Sequence, residues 1–359
     1  MIIERLELVD YRNYEAATFD LTAGTTVVVG DNGQGKTNFA EALAYLASLS
    51  SFRGAPGDAL VRVGADTAIV RAALRDDDGR ESLIEAELAT VGRGRVLVNK
   101  QRLARTRDLL GVVRVTVFSP DDLVLVKGAP GDRRRFMDDA LVALATKYDA
   151  LRLELDRIVK QRNTLLRQVN GKLDEDAAFT LDVWDSKFTE TGEQFGRARA
   201  ALVEQSHPHV TAAYTALAGG PVEIAMNYEP SWRASGLAAA LAEARVDDLR
   251  RAVSTVGPHR DELELRIAGL PARTHASQGE QRTLALALRL GVHRLVADRT
   301  GSTPVLVLDD VLSELDTHRA TALLGSLPAG QIVITTAGVI PPAASPDRVI
   351  RIDHGAIVE

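Results

Sequence analysis

Eight consecutive residues, Gly30-Asp31-Asn32-Gly33-Gln34-Gly35-Lys36-Thr37, carry the strongest chemical signal in the chain. They have the G-x-x-x-x-G-K-[ST] form of a phosphate-binding loop, follow the run Thr25 to Val29, and precede the helix-like stretch Asn38 to Leu49. The glycines let backbone N–H groups curl around phosphate, and the helix N-terminus favours negative charge there. Lys36 reaches the β and γ oxygens of ATP, and the Thr37 hydroxyl ligates Mg2+. A second signal is Val305-Leu306-Val307-Leu308-Asp309-Asp310, with two carboxylates at the C-terminal end of a buried strand, the edge at which open α/β sheets hold ligands. Asp309 is expected to hold Mg2+ through its hydration shell, and Asp310 to orient or deprotonate the attacking water. Lys36, Asp309 and Asp310 are thus the candidate catalytic set, Gly30 to Thr37 the candidate ATP-binding set, and Thr37 with Asp309 the candidate metal pair.

A third element, Ser277-Gln278-Gly279-Glu280-Gln281, opens a candidate helix from Gly279 to Asp298. It resembles the signature motif of ABC ATPases, with Gln278 and Glu280 departing from the commonest Leu-Ser-Gly-Gly-Gln form. That resemblance implies that Ser277, Gln278, Gly279 and Glu280 meet the nucleotide of an opposite subunit, so that ATP becomes part of a dimer interface. Without the family, the same residues form a helix cap, with Ser277 at the N-cap and Glu280 at N3; both readings can hold at once. Ser313-Glu314-Leu315-Asp316 is similar to the ABC D-loop, and Thr335-Thr336 stands where many ABC transporters have a switch histidine. Threonine cannot supply the same polarised contact, and Asp310 is one methylene shorter than the usual glutamate, so slow hydrolysis is expected.

These residues need a scaffold, and 359 residues suffice for a large core without staples. The absence of cysteine excludes disulfides, a thiolate zinc site and a cysteine nucleophile, and fits a reducing compartment such as the cytoplasm. No apolar run approaches the roughly 20 residues needed to cross a bilayer, so a soluble chain with no membrane partner is expected. The opening residues from Met1 read as an edge or opening strand. Further strands are expected at Thr25 to Val29, Ala68 to Leu74, Ser82 to Leu88, Arg95 to Asn99, Val112 to Phe118, Val305 to Leu308 and Gln331 to Thr335. Val339 to Pro346 reads as a proline-rich loop.

In the middle, Leu141, Leu144, Tyr148, Leu151, Leu155, Ile158, Arg162, Leu165 and Val169 follow steps of three and four, a heptad seam with one polar exception. Leu181, Trp184, Phe188, Thr191, Phe195, Ala198 and Leu202 repeat the pattern after Asn170-Gly171, which predicts an antiparallel hairpin arm. The expected fold is therefore an α/β ABC-type ATPase head, a P-loop core plus a β-rich subdomain, with an inserted helical lobe that carries a short antiparallel coiled-coil hairpin. Residues 1–118 and 254–359 are expected to form the core, 119–253 the inserted lobe with its arm at about 138–210, and 277–281 the signature.

The formal charge of -6 is only a mean. Between Arg93 and Arg135 eleven Lys and Arg face four acids, a local +7. Arg133, Arg134, Arg135, Lys100, Arg102 and Arg105 are the candidate DNA contacts within it, beside the plainer reading of a solvated basic face.

The segments Leu8-Val9-Asp10-Tyr11-Arg12-Asn13-Tyr14, Phe118-Ser119-Pro120-Asp121-Asp122-Leu123, Gly128 to Phe136, Gln161-Arg162-Asn163, Leu181-Asp182-Val183-Trp184-Asp185 and Gly257-Pro258-His259-Arg260-Asp261, with the signature helix, resemble the RecF family. The matches run from residue 1 to about 336, and the C-terminal tail contributes little. The resemblance implies a cytoplasmic, nucleoid-associated ATP-dependent DNA-binding protein of recombinational repair, replication restart and the SOS response. Its heads dimerise with ATP on double-stranded or gapped DNA, its ATPase is weak and DNA-stimulated, and with RecR and RecO it helps load RecA. His259 and Arg260 divide between a structural hinge and a nucleotide or DNA contact. The alternatives are an ABC transporter nucleotide-binding subunit, disfavoured by the heptad insert and the missing histidine, and a non-catalytic scaffold that uses ATP as structural glue.

Overall fold

The computed structural model describes residues 1–338 and 340–358. The chain opens with β1 (Ile2–Tyr11), β2 (Tyr14–Asp20), β3 (Thr25–Val29) and α1 (Lys36–Ser48), followed by β4 (Thr67–Arg75), β5 (Glu81–Ala89), β6 (Arg95–Val98), β7 (Gln101–Arg102) and β8 (Val115–Phe118). The middle holds α2 (Val124–Lys127), α3 (Pro130–Leu144), α4 (Lys147–Val169), α5 (Glu175–Ala218), β9 (Ile224–Asn227), α6 (Leu237–Arg251), β10 (Glu264–Ile267), β11 (Leu270–Pro271) and α7 (Ala272–His275). Then come α8 (Gln278–Thr300), β12 (Val305–Asp309), α9 (Thr317–Ser326), β13 (Ile332–Thr336), β14 (Arg348–Asp353) and β15 (Ala356–Val358). Residue 339, the first of the expected proline-rich loop, lies outside the described residues.

The chain divides into two compact units: Met1–Leu123, His209–Val222 and Arg282–Glu359 form the first, and Val124–Pro208 with Glu223–Gln281 the second. The expected inserted lobe of 119–253 therefore needs correction at its far end. β9 pairs with β10, and β10 with β11, which ties the stretch after residue 253 into the second unit. Strands of two to four residues separated by a helix leave no periodic trace in a sequence. α5 meanwhile continues through Pro208 as one 44-residue helix, and its last part belongs to the first unit.

Two six-stranded sheets build the first unit, in the orders β15-β14-β3-β13-β12-β8 and β2-β1-β4-β5-β6-β7. In the former, β8, β12, β13, β3 and β14 run parallel, and every residue of β12 and β13 is buried, which explains their unbroken apolar runs. The register sets Asp309 beside Thr335, and Thr335 beside Val28, so the C-terminal ends of three strands meet at one edge. The second sheet is antiparallel and places β1 between β2 and β4 rather than at an edge. The sequence hid this because Tyr14-Glu15-Ala16-Ala17-Thr18-Phe19-Asp20 has few strand-favouring residues. Ile3, Leu6 and Phe19 from that sheet, Phe39 and Leu43 from α1, and Val28, Val307 and Val333 from the parallel sheet share one core cluster. Each such side chain contributes about 1.5–3 kcal/mol by leaving water. The buried Gln331 amide fastens β1 to the start of β13, accepting from Ile3 N at 2.8 Å and donating to Ile3 O at 2.6 Å.

In the second unit the expected first helix is two. α3 ends where Ala145 turns extended (φ -159), so Leu141 and Leu144 lie on α3 while the rest of the seam lies on α4. α4 and α5 do form a hairpin, joined by Arg162 Nε to Asp185 Oδ1 at 2.6 Å. It is not a bare arm, because α6 runs along it: Leu237 N donates to Glu193 Oε1, and Arg245 reaches Asp182 nearer the hairpin's tip. The polar exception in the seam is the joint itself, since Arg162 is fully buried and also donates to the equally buried Asp248 at 2.6 Å and to Ser254 Oγ at 2.9 Å. Among the described residues, no helix is long and apolar enough to cross a membrane.

Candidate functional site

The loop Gly30 to Thr37 leaves β3 and enters α1 through Gly35, the N-cap of the helix, whose backbone has φ +123. A side chain there would be strained and would meet Tyr14 Oη at 2.7 Å, so the position requires glycine. The turn between β1 and β2 holds the loop. Tyr14 Oη donates to Gly35 O at 2.9 Å, Asn13 Nδ2 donates to Gln34 O at 3.0 Å, and Asn38 Nδ2 donates back to Asn13 Oδ1 at 2.7 Å. No side chain caps the N-terminus of α1, which leaves its amides turned towards the loop as an anion site. Further along α1, the fully buried Glu41 takes a bidentate pair from Arg12 at 2.7 and 2.9 Å and a hydrogen bond from Ser51, which fixes the helix against β1.

Lys36 is buried, and its Nζ donates to the loop's own carbonyls, Gly30 O at 2.6 Å and Asp31 O at 2.7 Å. Burial lowers its pKa, and the nearby Asp310, Asp309 and Asp31 oppose that shift. The structure thus gathers Lys36 and both strand-end carboxylates around one loop. Burial likewise raises the pKa of Asp309, against hydrogen bonds from Thr335 and Thr37 and the charge of Arg53. Thr335 Oγ1 donates to Asp309 Oδ1 at 2.7 Å and accepts from Asp310 N at 3.0 Å, so the residue at the switch position is committed to the acidic pair. Asp310 takes a left-handed backbone (φ +52), and its Oδ1 is buried without a hydrogen-bond partner. Backbone strain together with an orphaned carboxylate oxygen is characteristic of a functional site, and both fit a ligand or metal-bound water that completes it. Arg53, exposed just past α1 and donating to Asn38 Oδ1 at 3.4 Å, was missed by motif reasoning because it belongs to no spacing pattern.

Ser277, Gln278, Gly279 and Glu280 lie in the second unit, at the start of α8. The expected capping box is present: Ser277 N and Oγ both donate to Glu280 Oε2 at 2.8 Å, and Glu280 N returns to Ser277 Oγ at 3.3 Å. Ser277 and Gln278 are exposed, whereas Gln281 is buried and donates to Ala272 O and Arg273 O. The candidate DNA contacts fare differently from one another. Lys100, Arg102 and Arg105 are exposed in the first unit, and Arg135 is exposed in the second. Arg133 leaves the set, because it is 5% exposed and spends its guanidinium on Glu262 (2.6 and 2.8 Å) and on the carbonyls of Leu125 and Gly128. Arg134 is half-buried and donates to Asp261 O at 2.8 Å. A triple arginine on a helix cannot face one way, and the sequence alone did not say which of the three turned inward.

His259 has the geometry of a structural residue. Its Nε2 donates to Ser254 O at 3.0 Å, its ring packs on Phe188, and burial pushes its pKa down to about 4, so it is neutral at pH 7. Arg260 Nε donates to the same carbonyl. The neighbouring Asp261 accepts from Tyr228 Oη and from Trp232 Nε1 at 2.8 Å, which locks the Gly257–Asp261 turn into the unit. The C-terminal tail is a larger surprise: β14 pairs with β3, and the turn after it bonds to Gln34.

Residues 2–352 match the family described as RecF/RecN/SMC N terminal domain. The chain is 42% identical over 353 residues to the DNA replication and repair protein RecF of Streptomyces avermitilis, covering 94% of each. It is 39% identical over 382 residues to the protein of that name from Cutibacterium acnes, covering 99% of this chain and 97% of the other. Among solved structures, a recombination mediator protein RecF-ATPrS of the RecFOR pathway superposes with a TM-score of 0.91 at 27% identity, covering 99% and 97%. An Smc head domain from Pyrococcus furiosus superposes at 0.57 with 18% identity, covering 99% and 94%, a likeness of fold alone.

Proposed function

Because this chain belongs to the RecF family, we propose that it is an ATP-gated DNA-binding protein of recombinational repair and replication restart. In this reading two copies close on ATP, double-stranded or gapped DNA is held through its phosphates, and a weak, DNA-stimulated ATPase reopens the pair. The protein then acts with RecR and RecO in loading RecA, in the cytoplasm at the nucleoid. The observation that carries the reading is the convergence of Lys36, Thr37, Asp309 and Asp310 beside an uncapped helix N-terminus. The amides of Gly30 to Thr37 and the Lys36 ammonium would hold the phosphates, and Thr37 with Asp309 would hold Mg2+. Magnesium-ATP supplies the scissile phosphoanhydride and the binding energy for closure. Asp310 is suited to take a proton from, or orient, the attacking water, because its free oxygen is buried and unpaired.

Hydrolysis is slow in this scheme because the Thr335 hydroxyl is already engaged with Asp309. That engagement also favours a second reading, a scaffold that binds ATP without turnover; single-turnover hydrolysis with and without DNA separates the two. The main test is DNA affinity against salt for duplex, gapped and single-stranded DNA, with and without ATP. Affinity should rise with ATP and fall by about a thousandfold or more between 50 and 200 mM salt if six or more phosphates are neutralised. Ser277→Arg leaves the protein's own phosphate loop untouched, so it should bind ATP but fail to dimerise or bind DNA tightly. A variant that sediments as an ATP-dependent dimer, or binds duplex like the wild type, would overturn gating by closure.

A further inference from the structure

The strand that feeds the phosphate loop is held by the far end of the chain. β3 pairs with β13 on one side and β14 on the other, and at its start Thr25 N donates to Asp347 Oδ2 at 2.7 Å. Beyond the pairing, the β14–β15 turn sits on the loop itself. His354 N donates to the Gln34 side-chain oxygen, and Gly355 N donates to Gln34 O at 3.0 Å. Asn13 Nδ2 reaches that same carbonyl, also at 3.0 Å, so Gln34 is gripped from two directions. The fit leaves no slack: Gly355 has φ +76, and a methyl on it would meet Asn13 O at 2.5 Å. Gly30, at the start of the loop, lies against the carbonyl of Ile352. Neither hydrogen bond from the turn involves Lys36, Thr37, Asp309 or Asp310.

We propose that the β14–β15 turn is a positioning clamp for the phosphate loop, acting through Gln34 to hold residues 33–36 curled before nucleotide arrives. The inference rests on the phosphate-loop reading above and adds to it a role for residues 353–355. A glycine-rich loop loses more conformational freedom on ordering than any other sequence, so ordering it in advance removes a cost that would otherwise weaken ligand binding. By linkage, nucleotide must in turn strengthen docking of the turn. Only main-chain donors of the turn are used, so the exposed His354 side chain has no part in the clamp.

The test uses the full chain with Gly355→Ala, with His354→Ala as the side-chain control and Lys36→Ala as the control for the loop reading. Amide hydrogen exchange is measured on nucleotide-free protein, and affinity with N-methylanthraniloyl-ATP. Gly355→Ala should speed exchange over residues 30–37 while β12 and β13 keep their protection. It should weaken nucleotide binding about tenfold, as expected for losing two hydrogen bonds. The rate at saturating ATP should stay within about twofold, because the groups that act on phosphate are untouched. His354→Ala should match the wild type. Unchanged exchange and affinity in Gly355→Ala, a loss confined to the saturated rate, or weakening by His354→Ala would each overturn the clamp. If Gly355→Ala loosens the whole first unit, Gln34→Met, which removes the side-chain amide that accepts from His354 N, decides by hydrogen exchange over residues 30–37 of the nucleotide-free protein: faster exchange supports the clamp and unchanged exchange overturns it. Should wild type and Lys36→Ala bind the nucleotide equally, the loop reading falls, and the exchange measurement still decides whether the clamp exists.

Discussion

Asp310 carries a carboxylate one methylene shorter than that of glutamate. The shorter side chain and left-handed backbone leave its Oδ1 buried and unpaired, while the main-chain N–H is taken by Thr335. Asp310→Asn keeps the shape and loses the proton acceptor, so single-turnover hydrolysis should fall by about 10²–10⁴ while ATP binding and dimerisation persist. A wild-type rate would show that Asp310 is not the base. His293 gives a residue-scale prediction about stability. It lies inside α8, its Nδ1 meets Thr116 Oγ1 at 3.0 Å, and burial pushes its pKa down to about 4. The folded state thus binds fewer protons than the unfolded chain between pH 6.5 and 4, so stability is full above that window and is lost as pH falls through it. Going from pH 7 to 5 should cost about 2 kcal/mol through this residue, and His293→Gln should flatten that slope in urea titrations. Asp138, pushed up to about 6 by burial, works in the opposite sense, so the comparison has to be variant against wild type at each pH.

Among the elements, the α4–α5 hairpin depends on one guanidinium. Removing Arg162 strands the fully buried Asp248, and its remaining bonds from Thr255 N and Oγ1 do not neutralise it. Arg162→Met should cost about 3–5 kcal/mol by denaturant unfolding, and adding Asp248→Asn should recover part of that loss. This arginine also marks how far a sequence can be read. The heptad steps announced the α4–α5 hairpin and flagged position 162 as the exception, but not the break at Ala145 that separates α3 from α4, nor that α6 supplies the partner, because that contact spans 86 residues and obeys no period. Strands with continuous branched runs, β3, β12 and β13, were legible to within a residue or two. β2 and β9 were not, each being stabilised by what it pairs with rather than by its own composition; β14 has Val349, Ile350 and Ile352 of its own, and what stays hidden is its partner β3, far away along the chain. In the site, Lys36, Thr37, Asp309 and Asp310 were readable because chemistry fixes their order along the chain. Asn13, Tyr14 and the 354–355 turn were not: Asn13 Nδ2 and Tyr14 Oη reach loop carbonyls from a neighbouring strand turn, and the 354–355 turn lends main-chain donors from the far end of the chain, so no spacing pattern announces any of them.

Over the whole molecule, a chain of charge -6 can bind DNA only through local excess, and the structure narrows where that excess is usable. Lys100, Arg102 and Arg105 face solvent, whereas Arg133 is spent inside the second unit. Replacing Lys100 and Arg102 by alanine together should lower the slope of log affinity against log salt by about 0.9 for each phosphate that is no longer neutralised. Arg133→Ala should leave that slope alone and instead destabilise the protein by about 1–3 kcal/mol, because it orphans the Leu125 and Gly128 carbonyls while the half-exposed Glu262 regains water. A reversed pattern would move the DNA surface to the second unit. The pairing of β3 on both flanks has one more consequence, for the time at which the molecule becomes competent. Residues 25–29 leave the ribosome early, yet their sheet partners are residues 332–336 and 348–351. At about 5–20 residues per second, the strand that carries the phosphate loop waits roughly 15–60 s for its neighbours. Contacts so distant along the chain also form slowly afterwards. A nascent polypeptide therefore carries the phosphate-loop motif about 300 residues before the strands that flank it, so a product interrupted between the two has the motif without the sheet that holds it.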